Sequence, residues 1–182
     1  MFITVYAPPP PVIPCVIALV IAAASTDSQC RRIPNILVAT GLTGALFVQC
    51  WLRGIPAGAA AWLAGAVVGL GLFLPFYLLR GMAAGDVKLL AMIGAWTGPL
   101  LVFYVALATS VIGGVWMLAV TARRGQLTRL FVNVFTLIRP AWRGSSIVAR
   151  GARADSIESV GSVPYGVAIA AGTVFVLLAA AA

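Results

Sequence analysis

Two carboxylates, Asp27 and Asp86, border apolar runs in a chain that holds only four acidic residues in 182. An ionisable side chain at membrane depth costs roughly 3 kcal/mol or more unless it is paired or solvated, so it marks a function by default. Asp86 lies in the stretch Gly81-Met82-Ala83-Ala84-Gly85-Asp86-Val87-Lys88-Leu89-Leu90, between two apolar segments. Asp27 follows the apolar run 12–26. The other two acids, Asp155 and Glu158, fall in a stretch rich in Arg, Ser and Gly and are expected to be solvated. Asp27 and Asp86 are therefore the one carboxylate pair that the apolar part of the chain can assemble.

Two facing carboxylates in a low-dielectric site do not both ionise readily; one holds a proton while the other is charged. Such a pair suits amide hydrolysis by an activated water. The charged member takes a proton from water, and the neutral member polarises the carbonyl and then protonates the leaving amine. Asp86 is placed at a helix N-terminus, which makes it the expected ionised member at rest. A proton-coupled transporter also needs buried acids, and the residues alone leave both readings open. Gly85 removes side-chain bulk beside Asp86, serving either close approach of a substrate strand or an unusual backbone angle. Lys88, two residues on, does not share the Asp86 face. It either snorkels to the interface or holds an acidic group of a substrate.

The composition states where these acids must work. The chain is 62% hydrophobic and 9% charged, against about 45–50% and about 25% for soluble domains. An all-α, polytopic membrane helical bundle follows, with about six spans and the whole chain, 1–182, in a single domain. The net charge of +8 is read as loop arginines that set topology and meet anionic lipid, not as a nucleic-acid surface. The absence of histidine excludes Ser-His and Cys-His catalysis and a HExxH zinc site. Cys15, Cys30 and Cys50 form no CxxC, so no metal and no cofactor are expected. Cys15 and Cys50 are read as packing residues and Cys30 as a loop thiol.

The chain order supplies the frame. Pro8-Pro9-Pro10-Pro11 makes a short extended lead-in, and no removable signal peptide is read there. Spans are expected over 12–26, 36–52, 56–79, from the Asp86 stretch to about Gly98, over 100–120 and over 163–182. Residues 27–35 form the first loop, with Pro34 in the first turn of the next span. Gly65 and Gly69 offer a face for close helix packing. Residues 121–162 form a long basic loop, in which 127–139 is apolar but too short to span and reads as an interfacial helix. With the loops at 27–35, 80–88 and 121–162 on one side, eleven of the twelve basic residues share that side and only Arg53 does not. The positive-inside rule then puts these loops in the cytoplasm and both termini outside it. Asp27 and Asp86 fall at the same, cytoplasmic rim.

Asp27 with Arg31-Arg32-Ile33-Pro34-Asn35, then Gly85-Asp86-Val87-Lys88-Leu89-Leu90, and finally Val163-Pro164-Tyr165-Gly166 at the last span resemble the type IV prepilin peptidase family of GxGD-type intramembrane aspartic proteases. The resemblance implies that Asp27 and Asp86 are the catalytic pair, and that Gly85, Lys88, Pro34, Asn35 and Tyr165 bind substrate or shape the site. It implies a cytoplasmic-membrane endopeptidase whose substrate is a prepilin with a basic leader and an apolar helix, cut at the cytoplasmic face. Pilus assembly proteins are further expected partners, and nucleic acid is not. The chain has no room for the cysteine-bearing insert of larger members, and so resembles the small, peptidase-only branch of tight-adherence (Flp-type) pilus systems. It departs from the pattern where Ala83 replaces the first motif glycine. A non-catalytic assembly factor is the third reading, and transport the second.

Overall fold

The structure is a computed structural model that describes residues 8–9, 11–79, 81–123 and 165–181. Among these residues the chain is entirely helical: α1 (Val12–Cys30), α2 (Asn35–Arg53), α3 (Ile55–Leu78), α4 (Ala84–Thr97), α5 (Pro99–Arg123) and α6 (Tyr165–Ala181). It falls into two compact units, Met1–Gly113 with Pro164–Ala182, and Gly114–Val163. The described part of the second unit is the helical stretch 114–123. The interfacial helix expected over 127–139, Arg80, Pro10 and residues 1–7 lie outside the described residues; Pro11, expected in an extended lead-in, has helical angles at the N-cap of α1.

Four of the helices, α1, α2, α3 and α5, are long and apolar enough to cross a membrane. The chain is an all-α membrane helical bundle. α4 and α6 are shorter, with 14 and 17 residues. At 1.5 Å per residue α4 is about 21 Å long, well under the ~30 Å of a hydrocarbon core. It is also the most enclosed helix: Asp86, Val87 and every residue from Leu89 to Trp96 are buried. A helix apolar on all sides belongs in the middle of a bundle, and α3, α2, α1 and α6 all pack against it. Large apolar side chains such as Phe47, Trp51, Val67 and Leu70 remain exposed on α2 and α3, where lipid rather than water satisfies them.

Glycines set how closely α3 and α4 approach. A Cβ on Gly65 would fall on the Gly94 carbonyl, one on Gly94 would fall on the Gly65 carbonyl, and one on Gly69 would fall on the Leu90 carbonyl. The two backbones are in direct contact along an antiparallel seam, as the small-residue face of α3 anticipated. On the other flank, a Cβ on Gly172 of α6 would lie 2.6 Å from Thr109 Oγ1 of α5.

The ends of α4 are fixed differently. Its last carbonyls lack intrahelical partners, and Gln49, 3% exposed on α2, supplies them. Gln49 Nε2 donates to Trp96 O at 3.0 Å and to Ala95 O at 3.3 Å. Trp96 Nε1 in turn donates to Gly41 O at 2.9 Å. Gln49→Leu, similar in volume but without donors, is expected to lower stability by about 1–3 kcal/mol. The check is the thermal midpoint of the purified protein in detergent, which should fall by about 2–4 °C for each kcal/mol lost.

The first loop is shorter than expected. α1 continues through Asp27 to Cys30 because nothing in Ser25-Thr26-Asp27-Ser28 breaks it. Thr26 and Ser28 turn their hydroxyls back onto helix carbonyls, at 2.9 Å to Ala23 O and 2.9 Å to Ser25 O. α1 stops at Arg31, whose φ of 51° is left-handed and whose N–H donates to Asp27 O at 2.9 Å, an αL-type helix end. Pro34 is the residue just before α2, in extended conformation, rather than part of its first turn. Cys30 is therefore an exposed helix residue, and Cys15, expected to pack, is exposed as well.

Candidate active site

Each candidate residue stands at a helix end, and the ends gather on one side of the first unit. Asp27 occupies the last turn of α1 and Asp86 the first turn of α4. α1 and α4 are neighbours, and both carboxylates are buried, at 9% and 5% exposure. The charge of Asp27 acts directly on Asp86, and that of Asp86 acts on the Tyr165 phenol at the start of α6. The three groups thus share one electrostatic neighbourhood, although 27, 86 and 165 are far apart in the chain.

Backbone amides hold the acids. Asp27 Oδ2 accepts from Gly166 N–H at 2.9 Å. Asp86 is the third residue of α4 and reaches back towards the backbone of Ala83, which precedes the helix, the geometry of an acid in a capping box. Ala83 itself has φ −76° and ψ 148°. That is ordinary extended backbone, so alanine in place of the motif glycine strains nothing.

The remaining candidates divide. Lys88 Nζ donates to Asn35 Oδ1 at 3.2 Å, an exposed contact that ties α4 to the start of α2. Gly85 has no left-handed backbone angle, and a Cβ there would make only ordinary van der Waals contact with the Ile33 side chain, from 3.4 Å outwards, so neither an unusual angle nor the packing at Ile33 demands glycine. Tyr165 packs edge-on against Phe73 of α3, with ring centroids 6.3 Å apart and 69° between planes, and its hydroxyl reaches Ser110. Pro34 shapes the site only by aiming α2, whose early N–H groups at Leu37 and Val38 return to its carbonyl.

Sequence reasoning missed Gly166 as a partner of Asp27 and Gln49 as the cap of α4. Gly166 stood in the quoted Pro-Tyr-Gly segment, and a polar amide inside the apolar run of α2 was a signal for Gln49. Chemically, the arrangement is a pair of sheltered carboxylates, each steadied by backbone, with a phenol beside them and a cation at the rim.

No solved structure matches the chain. The chain is 32% identical over 124 residues to a "Type 4 prepilin-like proteins leader peptide-processing enzyme" of Escherichia coli O78:H11 (strain H10407 / ETEC). The match covers 63% of this chain and 44% of that relative, so the chain spans less than half of the relative's length. The model of the Type IV leader peptidase family matches residues 15–118, which is more than half of the chain and includes both Asp27 and Asp86. With its two carboxylate-bearing helix ends inside the matched region, the chain belongs to the Type IV leader peptidase family.

Proposed function

We propose that this protein is an aspartic endopeptidase of the cytoplasmic membrane that removes the leader from type IV or Flp-type prepilins, with Asp27 and Asp86 as its catalytic pair. The observation that supports the reading is that two buried carboxylates on the neighbouring helices α1 and α4 lie near enough for the charge of one to act on the other. Family membership and the name of the Escherichia coli relative support the substrate class.

The pair works as one unit that holds one proton. A water between the carboxyls gives its proton to the ionised aspartate as its oxygen bonds to the scissile carbonyl carbon. The neutral aspartate donates a hydrogen bond to the carbonyl oxygen. Collapse breaks the C–N bond, and the amine leaves with a proton from the acidic partner. The shared proton then returns, and one water has been consumed. The distribution of basic residues supports a cytoplasmic position for this rim, where the basic leader of a prepilin would meet its apolar helix.

The deciding experiment uses the full chain reconstituted with a tagged Flp-type prepilin in vesicles. Release of the leader at its junction with the apolar helix is expected. Proton-dependent solute flux with an uncut prepilin would instead favour a carrier. Pilus assembly that survives loss of both carboxylates would favour an assembly factor. Lys88 stands at the rim rather than in the pair, so Lys88→Ala is expected to raise KM while leaving kcat within about threefold, the pattern of lost uniform binding. Steady-state cleavage across prepilin concentrations reads the two constants apart.

A further inference from the structure

The Asp27 carboxylate is held by a group that the reaction above does not use. Gly166 is the second residue of α6, so its N–H is among the first four of that helix, which have no intrahelical acceptor. It donates to Asp27 Oδ2 at 2.9 Å, across 139 residues of chain. The same position excludes a side chain. A Cβ on Gly166 would lie 2.7 Å from Asp27 Oδ2, 3.0 Å from its Cβ and 3.1 Å from its Cγ. The start of α6 is itself clamped. Tyr165 lies edge-on to Phe73, its hydroxyl reaches Ser110, and a Cβ on Gly113 would come within 2.7 Å of its ring. The donor is therefore fixed relative to α3 and α5.

We propose that Gly166 is a positioning residue for Asp27. Its N–H occupies Oδ2 and sets the plane of the carboxylate, leaving Oδ1 as the oxygen through which Asp27 gains and loses its proton, and its missing side chain is what lets α6 come close enough to do so. This rests on the aspartic peptidase reading for its catalytic consequence, but the contact itself is testable without catalysis. It places the third essential element of the site at position 166, beyond the 15–118 segment that matches the family.

The test is Gly166→Ala in the full chain. In vesicles with a tagged Flp-type prepilin, kcat is expected to fall about a hundredfold, the scale of a displacement near 1 Å, with KM within about twofold. Purified in detergent, the same substitution is expected to lower the thermal midpoint in an Asp86→Gly background and to leave it unchanged in an Asp27→Gly background, where no side chain remains to be struck. If Gly166→Ala fails to accumulate alone, Asp27→Gly is expected to restore its accumulation and Asp86→Gly is not. Full kcat in Gly166→Ala, or equal destabilisation in both backgrounds, overturns the proposal. A wild-type chain that leaves the prepilin uncut sinks the peptidase reading instead, and an Asp27→Asn chain that still cuts it sinks the role of Asp27 in the aspartic pair; either leaves the stability comparison to judge the contact.

Discussion

Asp27→Asn and Asp86→Asn should each bring prepilin cleavage below a tenth of wild type while the protein remains in the membrane. Asparagine keeps the size of aspartate and a carbonyl oxygen that can still accept from Gly166 N–H at position 27, so the packing of the rim survives. What is lost is the exchangeable proton. General acid and base catalysis each contribute about 10²–10⁴-fold, and the two acids act as one unit, so the double substitution should be scarcely worse than either single one. Cleavage of a co-expressed tagged prepilin, read beside the amount of each variant in the membrane fraction, supplies the check. Processing above a tenth in either single variant would speak against the pair.

The second large effect lies in the scaffold. Gly65→Leu should prevent α3 and α4 from seating, because the first added carbon already falls on the Gly94 carbonyl, a backbone atom that cannot rotate away. Overpacking in a tight core costs about 1–3 kcal/mol, occasionally more, and a backbone collision belongs at the upper end. α4 carries Asp86 and is enclosed by its neighbours, so displacing it removes both stability and activity. Gly71→Ala on the same helix is the matched control. Nothing lies within 4 Å of a Cβ there, and alanine is favoured over glycine inside a helix by roughly 0.5–1 kcal/mol. Accumulation and thermal midpoints should fall sharply for Gly65→Leu and hold or rise for Gly71→Ala. Equal behaviour of the two would refute direct backbone contact at Gly65.

The bundle and its acids were legible in the sequence for simple reasons. Long apolar runs have one stable outcome in lipid, and carboxylates are so scarce that Asp27 and Asp86 selected each other. Gly65 and Gly69 announced a close approach, and the structure supplies its object, the backbone of α4. The end of α1 was misjudged because Asp27-Ser28-Gln29-Cys30 reads as a loop when isolated. In the helix, Thr26 and Ser28 bond their own turn, and the chain turns only at Arg31. Gln49 and Gly166 were beyond local reading because each acts across the bundle, on Trp96 and on Asp27 respectively. Spacing along a chain carries no information about a contact made between helices so remote in order.

The pairing of α1 with α6 has a bearing on how the molecule comes into being. α1 makes its broadest packing with α6, far more than with its successor α2. On a ribosome α1 would therefore enter the bilayer long before α6 exists, and Asp27 would wait without the amide that steadies it. Only when residues 165–181 have emerged can α1 pack against α6. A half-made chain would thus carry both acids with Asp27 still lacking its backbone donor, so the geometry described around it is completed only with α6.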